Sequence, residues 1–232
     1  MRKVLFTGVA LAALALALPA SAQNFPTKPI TMINVFAAGG PSDIHMRVLA
    51  EQAKKFLGVP VIVENKLGGA GTVGPATMAA TTKPDGYTIG MGNIAANAIN
   101  PAVRPSAFPY QPVKDFAAIS LVGVTPLVLA VNAEKVPART LPEFIAYLKA
   151  NPGKVAYGSS GIGSSLHLGM ELLLQRTGTQ AIHVPYKGSA PMVTDLLSGQ
   201  VVATMDAATT TWPHVQSGKL RALGVSSAQR AF

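Results

Sequence analysis

The run Ile30-Thr31-Met32-Ile33-Asn34-Val35-Phe36-Ala37-Ala38-Gly39-Gly40-Pro41-Ser42-Asp43-Ile44-His45-Met46-Arg47-Val48-Leu49 decides the fold. Its opening is apolar and β-branched, as a buried strand requires, and its middle is a glycine turn. Its last part opens a helix, with Pro41 suited to the first turn and Ser42 or Asp43 to the cap. A helix entered this way aims unpaired backbone N–H groups and the positive end of its dipole at whatever lies above the turn. That makes an anion seat. The same strand–turn–helix unit also serves as a plain connection in α/β proteins, and the rest of the chain has to tell the two apart.

Downstream, the spacing predicts a helix over 42–57, with Ile44, Val48, Leu49, Phe56 and Leu57 as a loose apolar stripe and Gly58 as its stop. Residues 61–65 are mostly apolar, as in a strand covered on both faces. A turn at 66–71, a helix at 72–82, a turn at 84–86 and a strand at 87–92 follow. This βαβαβ alternation implies a parallel sheet flanked by helices. Residues 93–112 are polar and punctuated by proline. The apolar stretch 116–132 is too long for one ordinary strand and suits a passage between two lobes. Beyond a helix at 141–150, a second alternation begins. Strands are expected at 155–157, 181–185, 201–206 and 220–225, helices at 167–176 and 190–198, a helical turn at 212–217, and a Gly/Ser turn at 158–165.

Upstream, Arg2 and Lys3 precede an apolar run from Leu5 to Leu18 and the small-residue pattern Ala20-Ser21-Ala22. This is the pattern of a secretory leader over 1–22, with Gln23 the first mature residue; in a Gram-negative cell the product is periplasmic. The apolar run is short for a membrane span. The absence of cysteine excludes disulfides, thiolate nucleophiles and cysteine metal sites. The net charge is +9, or +7 once Arg2 and Lys3 are set aside. The basic residues are scattered singly apart from Lys54-Lys55, which argues against nucleic acid and leaves solvation and attraction of small anions.

Three catalytic readings fail on spacing. Gly69-Ala70-Gly71-Thr72-Val73-Gly74 matches G-x-G-x-x-G, but it follows the second strand, and no acid lies at the end of the next one. Gly158-Ser159-Ser160-Gly161 misses the nucleophile elbow, so a hydrolase would need an unrecognised grouping of Ser160, His167, Asp195 and Asp206. No His pair or carboxylate cluster has metal-ligand spacing, and His45, His183 and His214 read as structural.

Several blocks then carry a resemblance. They are Phe36 with Gly39-Gly40-x-Ser42-Asp43, Val61-Ile62-Val63-Glu64-Asn65, Pro84-Asp85-Gly86-Tyr87-Thr88, Asn100-Pro101 and Pro112-Val113-Lys114-Asp115-Phe116. Further on come Gly163-Ser164-Ser165-x-His167, His183-Val184-Pro185-Tyr186-Lys187-Gly188-Ser189, Asp195-Leu196-Leu197-x-Gly199 and Gly218-Lys219-Leu220-Arg221-Ala222-Leu223. In this order the mature chain resembles the Bug/TctC family, the extracytoplasmic solute-binding proteins of tripartite tricarboxylate transporters. The resemblance implies an α/β, two-lobed type II periplasmic-binding-protein fold, each lobe a helix-flanked, mainly parallel sheet. Lobe 1 is then expected over 23–122 and lobe 2 over 123–232. The family's first lobe is completed by a returning C-terminal segment. Here the sequence stops soon after the strand at 220–225, so lobe 1 is expected to be incomplete and the chain truncated.

The resemblance also implies a non-catalytic carrier that encloses a small carboxylate and presents it to membrane transporter subunits or a sensor kinase. It implies a monomer with no cofactor, metal or nucleic acid. The alternatives weighed are a sensor subunit for a membrane receptor kinase and a secreted serine hydrolase. Carried over residue by residue, the ligand contacts in lobe 1 are Phe36, Gly39, Gly40, Ser42, Asp43 and Asn93. Gly39 and Gly40 admit a carboxylate close to the backbone. Ser42 and Asp43 orient the turn; Asp43, repulsive to an anion, takes a capping role, or an acceptor role toward a ligand amine or hydroxyl. Asn93 sits where open α/β sheets place their ligand contacts. In lobe 2 the candidates are Ser159, Ser160, Gly163, Ser164, Ser165, His167, Lys187, Gly188 and Asp206. The serines and glycines form a second helix entry, Lys187 offers a positive charge, and His167 fits a capping or interlobe role. Asp206 can accept from a ligand hydroxyl, amine or water.

Overall fold

The computed structural model describes residues 24–105 and 108–229, and the leader expected over 1–22 lies outside them. Strand β1 (Ile30–Asn34) is the centre of a parallel three-stranded sheet, between β2 (Val61–Asn65) and β3 (Thr88–Gly90). Ile30 pairs with Val61 and Thr31 with Thr88. The decisive stretch therefore lies at the middle of its sheet, with Ile30, Met32, Ile33 and Asn34 buried.

Helix α1 (Pro41–Leu57) packs Met46 and Ala50 against Met32, with Val61, Val63, Ile89 and Met91 around them. The expected stripe is corrected here: Val48 is 60% exposed, Phe56 88%, and Ile44 and Leu49 are exposed too. Two positions along a helix turn the side chain by about 200°. Once Met46 faces the sheet, Ile44 and Val48 face away. The cap is also corrected. Gly40 takes the extended N-cap position without a side-chain bond, and Ser42 and Asp43 lie inside the first turn. Strand β2 is an edge strand with Ile62 and Glu64 exposed, so it is covered on one face rather than both.

A 3-10 turn (Gly69–Gly71) leads into α2 (Val73–Thr81). Within the polar, proline-punctuated stretch after β3, residues 94–103 are helical. A π-helical turn (Ala95–Ile99) runs into the short α3 (Asn100–Val103). Pro101 sits in the first turn of α3, where its missing N–H costs nothing.

The second sheet has the order β6-β5-β7-β4-β8, with β4 (Leu127–Asn132), β5 (Ala156–Ser159), β6 (Ile182–Pro185), β7 (Ala203–Ala207) and β8 (Leu220–Val225). β5 runs parallel to β6 and β7, while β4 runs against β7 and β8. Residues 116–126 enter it without regular structure, and Ile119, Leu121, Val122 and Val124 are exposed. β4 shows the period of two cleanly. Leu129 and Val131 meet Phe144 and Leu148 of α4 (Leu141–Ala150) and Met170 and Leu174 of α5 (Ser165–Thr177). Val128 and Ala130 meet Met192, Val193 and Leu196 of α6 (Ser189–Ser198) on the other face. Helix α7 (Ala208–Gln216) starts four residues before the expected helical turn, because Asp206 accepts from the Ala207 N–H and the Thr210 hydroxyl at its entry.

Candidate functional site

The order β2-β1-β3 reverses direction at β1, and ligands of open α/β sheets bind beyond the carboxyl ends of strands at such a reversal. Phe36 follows β1 there and Asn93 follows β3. The turn after β1 is held from beneath by Asp43. Its carboxylate accepts from the Gly39 N–H (3.0 Å), from Arg47 Nε (2.9 Å) and Nη2 (3.0 Å), and from Asn65 Nδ2 (2.9 Å). Burial works against the charge, but the Arg47 guanidinium, the Gly39 N–H and the Asn65 amide overcome it and hold Asp43 at about 2. Asn34 and Asn65 both donate to the Phe36 carbonyl and fix the end of β1. Asp43 shapes the turn from inside and is spent on that task.

The lobe-2 turn at 186–189 meets this turn across the cleft. The Ala37 N–H donates to the Lys187 carbonyl at 3.1 Å. A β-carbon on Gly188 would lie 2.9 Å from the Ala37 nitrogen, so only glycine admits this approach. A β-carbon on Gly40 would lie 4.0 Å from the backbone nitrogens of both Ser189 and Ala190. The N-termini of α1 and α6 thus converge. Asp206, fully buried, anchors the second of them: it accepts from Ser189 Oγ at 2.7 Å, from the Ala207 N–H at 2.8 Å and from Thr210 Oγ1 at 2.8 Å. Burial pushes its carboxyl up, against the lowering effect of those three donors.

Two buried polar atoms near the reversal lack a hydrogen-bond partner among the described residues, Ser42 Oγ and Asn93 Nδ2. Asn93 otherwise caps the π-helical turn, its Oδ1 accepting from the Ala96 N–H. A β-carbon on Gly71 would touch both Asn93 Nδ2 (2.9 Å) and the edge of the Phe36 ring (3.1 Å), so these three groups share one corner.

Between the lobes lies a cavity of about 400 Å³, within the usual range of small-molecule sites. Phe36, Gly68–Thr72, Asn100, Arg104 and Phe108 form one wall; Ser160, Gly161, Ile162, Pro185, Tyr186 and Lys187 form the other. The Gly/Ser turn closes onto lobe 1. β-Carbons on Gly161 and Gly163 would lie 3.3 Å from Ala70 and 2.5 Å from Asn100 Oδ1. Ser164 caps α5 by accepting from the His167 N–H, and His167 Nδ1 accepts in return from the Gly163 N–H (3.3 Å). Ser165 is the first residue of α5. Tyr186 donates to Asp195 at 2.7 Å, and burial together with that carboxylate raises its phenol to about 12.

Of the residues singled out in sequence, Phe36, Ser160 and Lys187 line the cavity, while Gly39, Gly40, Ser42 and Gly188 lie at the helix junction. Asp43, Ser164, His167 and Asp206 serve the turns behind these surfaces. Ser159 is also behind: fully buried, it shares a 2.7 Å bond with His183 Nε2 and accepts from the Gly161 N–H. Burial and the neighbouring His167 lower His183 to about 4. This Ser–His contact presents no exposed hydroxyl for nucleophilic attack. His167, Asp195 and Asp206 of the notional hydrolase grouping each bond elsewhere. The wall residues Gly68–Thr72, Asn100, Arg104, Phe108, Gly161, Ile162, Pro185 and Tyr186 are not among the site residues singled out in sequence. Gly69–Thr72 carry a glycine signal that resembles a dinucleotide turn, and Asn100, Pro185 and Tyr186 stand only in the blocks that carry the family resemblance.

The description "Tripartite tricarboxylate transporter family receptor" matches residues 45–232. The UPF0065 protein in the gbd 5' region of Cupriavidus necator is 44% identical, over 97% of this chain and 68% of that protein. Protein BugT of Bordetella pertussis is 40% identical over 97% of this chain and 68% of its own. This chain thus spans about two thirds of their length. Among solved structures, R. palustris Rpa4515 with adipate superposes with a TM-score of 0.84 at 32% identity, covering 89% of this chain and 68% of that one. The periplasmic binding protein BugD does so at 0.80 and 35%, with the same coverage. MatC from Rhodopseudomonas palustris with bound malate gives 0.82 at 29%, covering 89% and 69%.

Proposed function

The chain belongs to the tripartite tricarboxylate transporter receptor family, the Bug/TctC solute-binding proteins, and from that membership we propose that it captures a small carboxylate between its two lobes for delivery to a membrane transporter. Its work is binding and release rather than catalysis, as for its relatives, two of which hold adipate and malate. The lobes are taken as 23–122 and 123–232, and 1–22 as the leader that sends the chain to the periplasm.

The observation that supports this reading is the convergence of the α1 and α6 N-termini at Gly40 and Ser189. Each helix end carries roughly half a positive charge, so two of them this close repel. An anion seated beside both turns that repulsion into attraction on two sides. Gly39, Gly40, Gly188 and the Ser42 hydroxyl form that seat. Asn93 Nδ2, Phe36, Ser160 and Lys187 line the way into it, and the turn Gly163–Ser165 closes the far side. Asp43 and Asp206 act one step behind, holding the two helix entries.

A thermal-shift panel of mono-, di- and hydroxycarboxylates tests the reading. A ligand at a hundred times its Kd adds about 2.7 kcal/mol to stability, a rise of several degrees. No rise with any acid, or steady turnover of an ester substrate, overturns it.

A further inference from the structure

The wall that the second lobe gives the cavity hangs on two imidazoles. Ser160, Gly161 and Ile162 belong to that wall, and Gly161 is the point at which it closes on Ala70. Behind it, rings from three elements stack. Tyr157 of β5 and His183 of β6 are register partners with ring centroids 5.0 Å apart, and His167 of α5 lies 4.1 Å from His183 on centroids. Each imidazole serves one amide of the turn. His167 Nδ1 accepts directly from the Gly163 N–H at 3.3 Å. His183 acts through Ser159: its Nε2 is 2.7 Å from Ser159 Oγ, and that oxygen accepts from the Gly161 N–H at 3.1 Å. These bonds need neutral rings. A protonated imidazole donates from both nitrogens. On His167 that sets a ring N–H against the Gly163 N–H. On His183 it reverses the Ser159 bond and drives the hydroxyl hydrogen round toward the Gly161 carbonyl, 3.3 Å away.

We propose that His167 and His183 are positioning residues for this wall, and that protonating the pair swings the Gly161–Gly163 turn off Ala70 and opens the cavity. Under the carrier reading, on which this use of the device rests, the protein grips its ligand at neutral pH and loosens in acid; the movement of the turn itself does not depend on that reading. A charge on either ring has to recover water, and it does so by parting from its stacked neighbour and from the turn above. The other titratable groups against the pair, among the described residues, are Tyr157 from β5 and Glu171 from α5, which are bonded to each other. Burial and the Glu171 carboxylate push the Tyr157 phenol up, so it stays neutral throughout. Burial and the facing His167 lower His183 from the ordinary 6.5 to about 4, against the opposite pull of Glu171. The stabilisation that depends on a neutral His183 is therefore complete above about 6.5 and is lost as the pH falls toward about 4. A ring at 6.5 in the open turn and about 4 in the closed one shifts the balance between the two by on the order of tenfold between about pH 7.5 and pH 5.

The test is nuclear magnetic resonance on the purified chain, labelled at glycine nitrogens and alanine methyls, without ligand. Between about pH 7.5 and pH 5 the Gly161 and Gly163 amide signals are expected to shift along one curve with the imidazole signals, and the contact between the Gly161 α-protons and the Ala70 methyl is expected to fade along it. In the double variant His167→Gln, His183→Gln, which keeps acceptors and takes up no proton, the contact is expected to persist across the range. Far-UV circular dichroism confirms that parent and variant stay folded. The same proteins are titrated with malate and adipate at both pH values; affinity is expected to fall at least fivefold more in the parent than in the variant. An Ala70–Gly161 contact that survives acid in the folded parent overturns the proposal, whatever the variant does, and so does a turn that moves only when the Phe144 core signals unfold with it. If the turn moves in acid and neither malate nor adipate binds at either pH, the device stands and the carrier reading loses its support; binding with an unmoved turn does the reverse.

Discussion

Asp43 shows how one side chain can govern an anion site without touching the anion. Its carboxylate is nearly buried and gathers a backbone N–H, an amide and a guanidinium into the shape the turn requires. Asp43→Ala is expected to cost about 2–3 kcal/mol in urea unfolding, since hydrogen bonds to a charged group are worth more than neutral ones and their donors lose a shared acceptor. The pH dependence follows from the sign of the shift. Its folded value of about 2 lies below the ordinary 3.8, so its contribution is fully present above about pH 4 and is lost as pH falls through about 2. Melting curves of the parent and of Asp43→Ala should converge over that window. If they stay parallel, the shift is not what stabilises the turn.

At the scale of elements, Asp206 joins the entries of α6 and α7 through Ser189, Ala207 and Thr210. Its shift has the opposite sign: burial raises the folded value, so ionisation subtracts stability as pH rises above the ordinary carboxylate range. Asp206→Asn keeps an acceptor for Ser189 and Ala207 and removes the charge. It is expected to gain in melting temperature relative to the parent between pH 4 and 8, and a difference constant across that range counts against the account. Elements also show what was legible in the sequence. The order of strands and helices followed from period and punctuation, as did the helix over 141–150, whose Thr140 cap and Pro142 entry are local signals. The outward turn of Val48 and Phe56 was not legible, because which row of a helix meets the sheet is set by the strands beneath it. Nor was most of the cavity wall. Arg104 reaches it from the end of α3, which continues a π-helical turn, and the Asn97, Asn100 and Pro101 of that run read as loop; Ile162 reaches it through a turn that shows no period at all.

Over the whole molecule the two sheets are unequal. Among the described residues, clusters of eleven and eight buried residues pack on the two faces of the five-stranded sheet, while the cluster that joins α1 to the three-stranded sheet has three. The larger buried clusters lie in the second lobe, and the first presents its turns to it. They meet backbone to backbone at Ala37 and Gly188, with no side chain between them. A methyl group added at 188 enters that seam against Ala37 and Phe36, at a φ of +135° that L residues rarely adopt. Gly188→Ala should therefore act as a doorstop and Gly188→Val as a thicker one. Small-angle scattering should show a graded increase in the radius of gyration, with acid affinity falling in the same order; equal profiles for all three proteins would mean the hinge is set elsewhere. The nearness of the two turns thus depends on a single missing carbon.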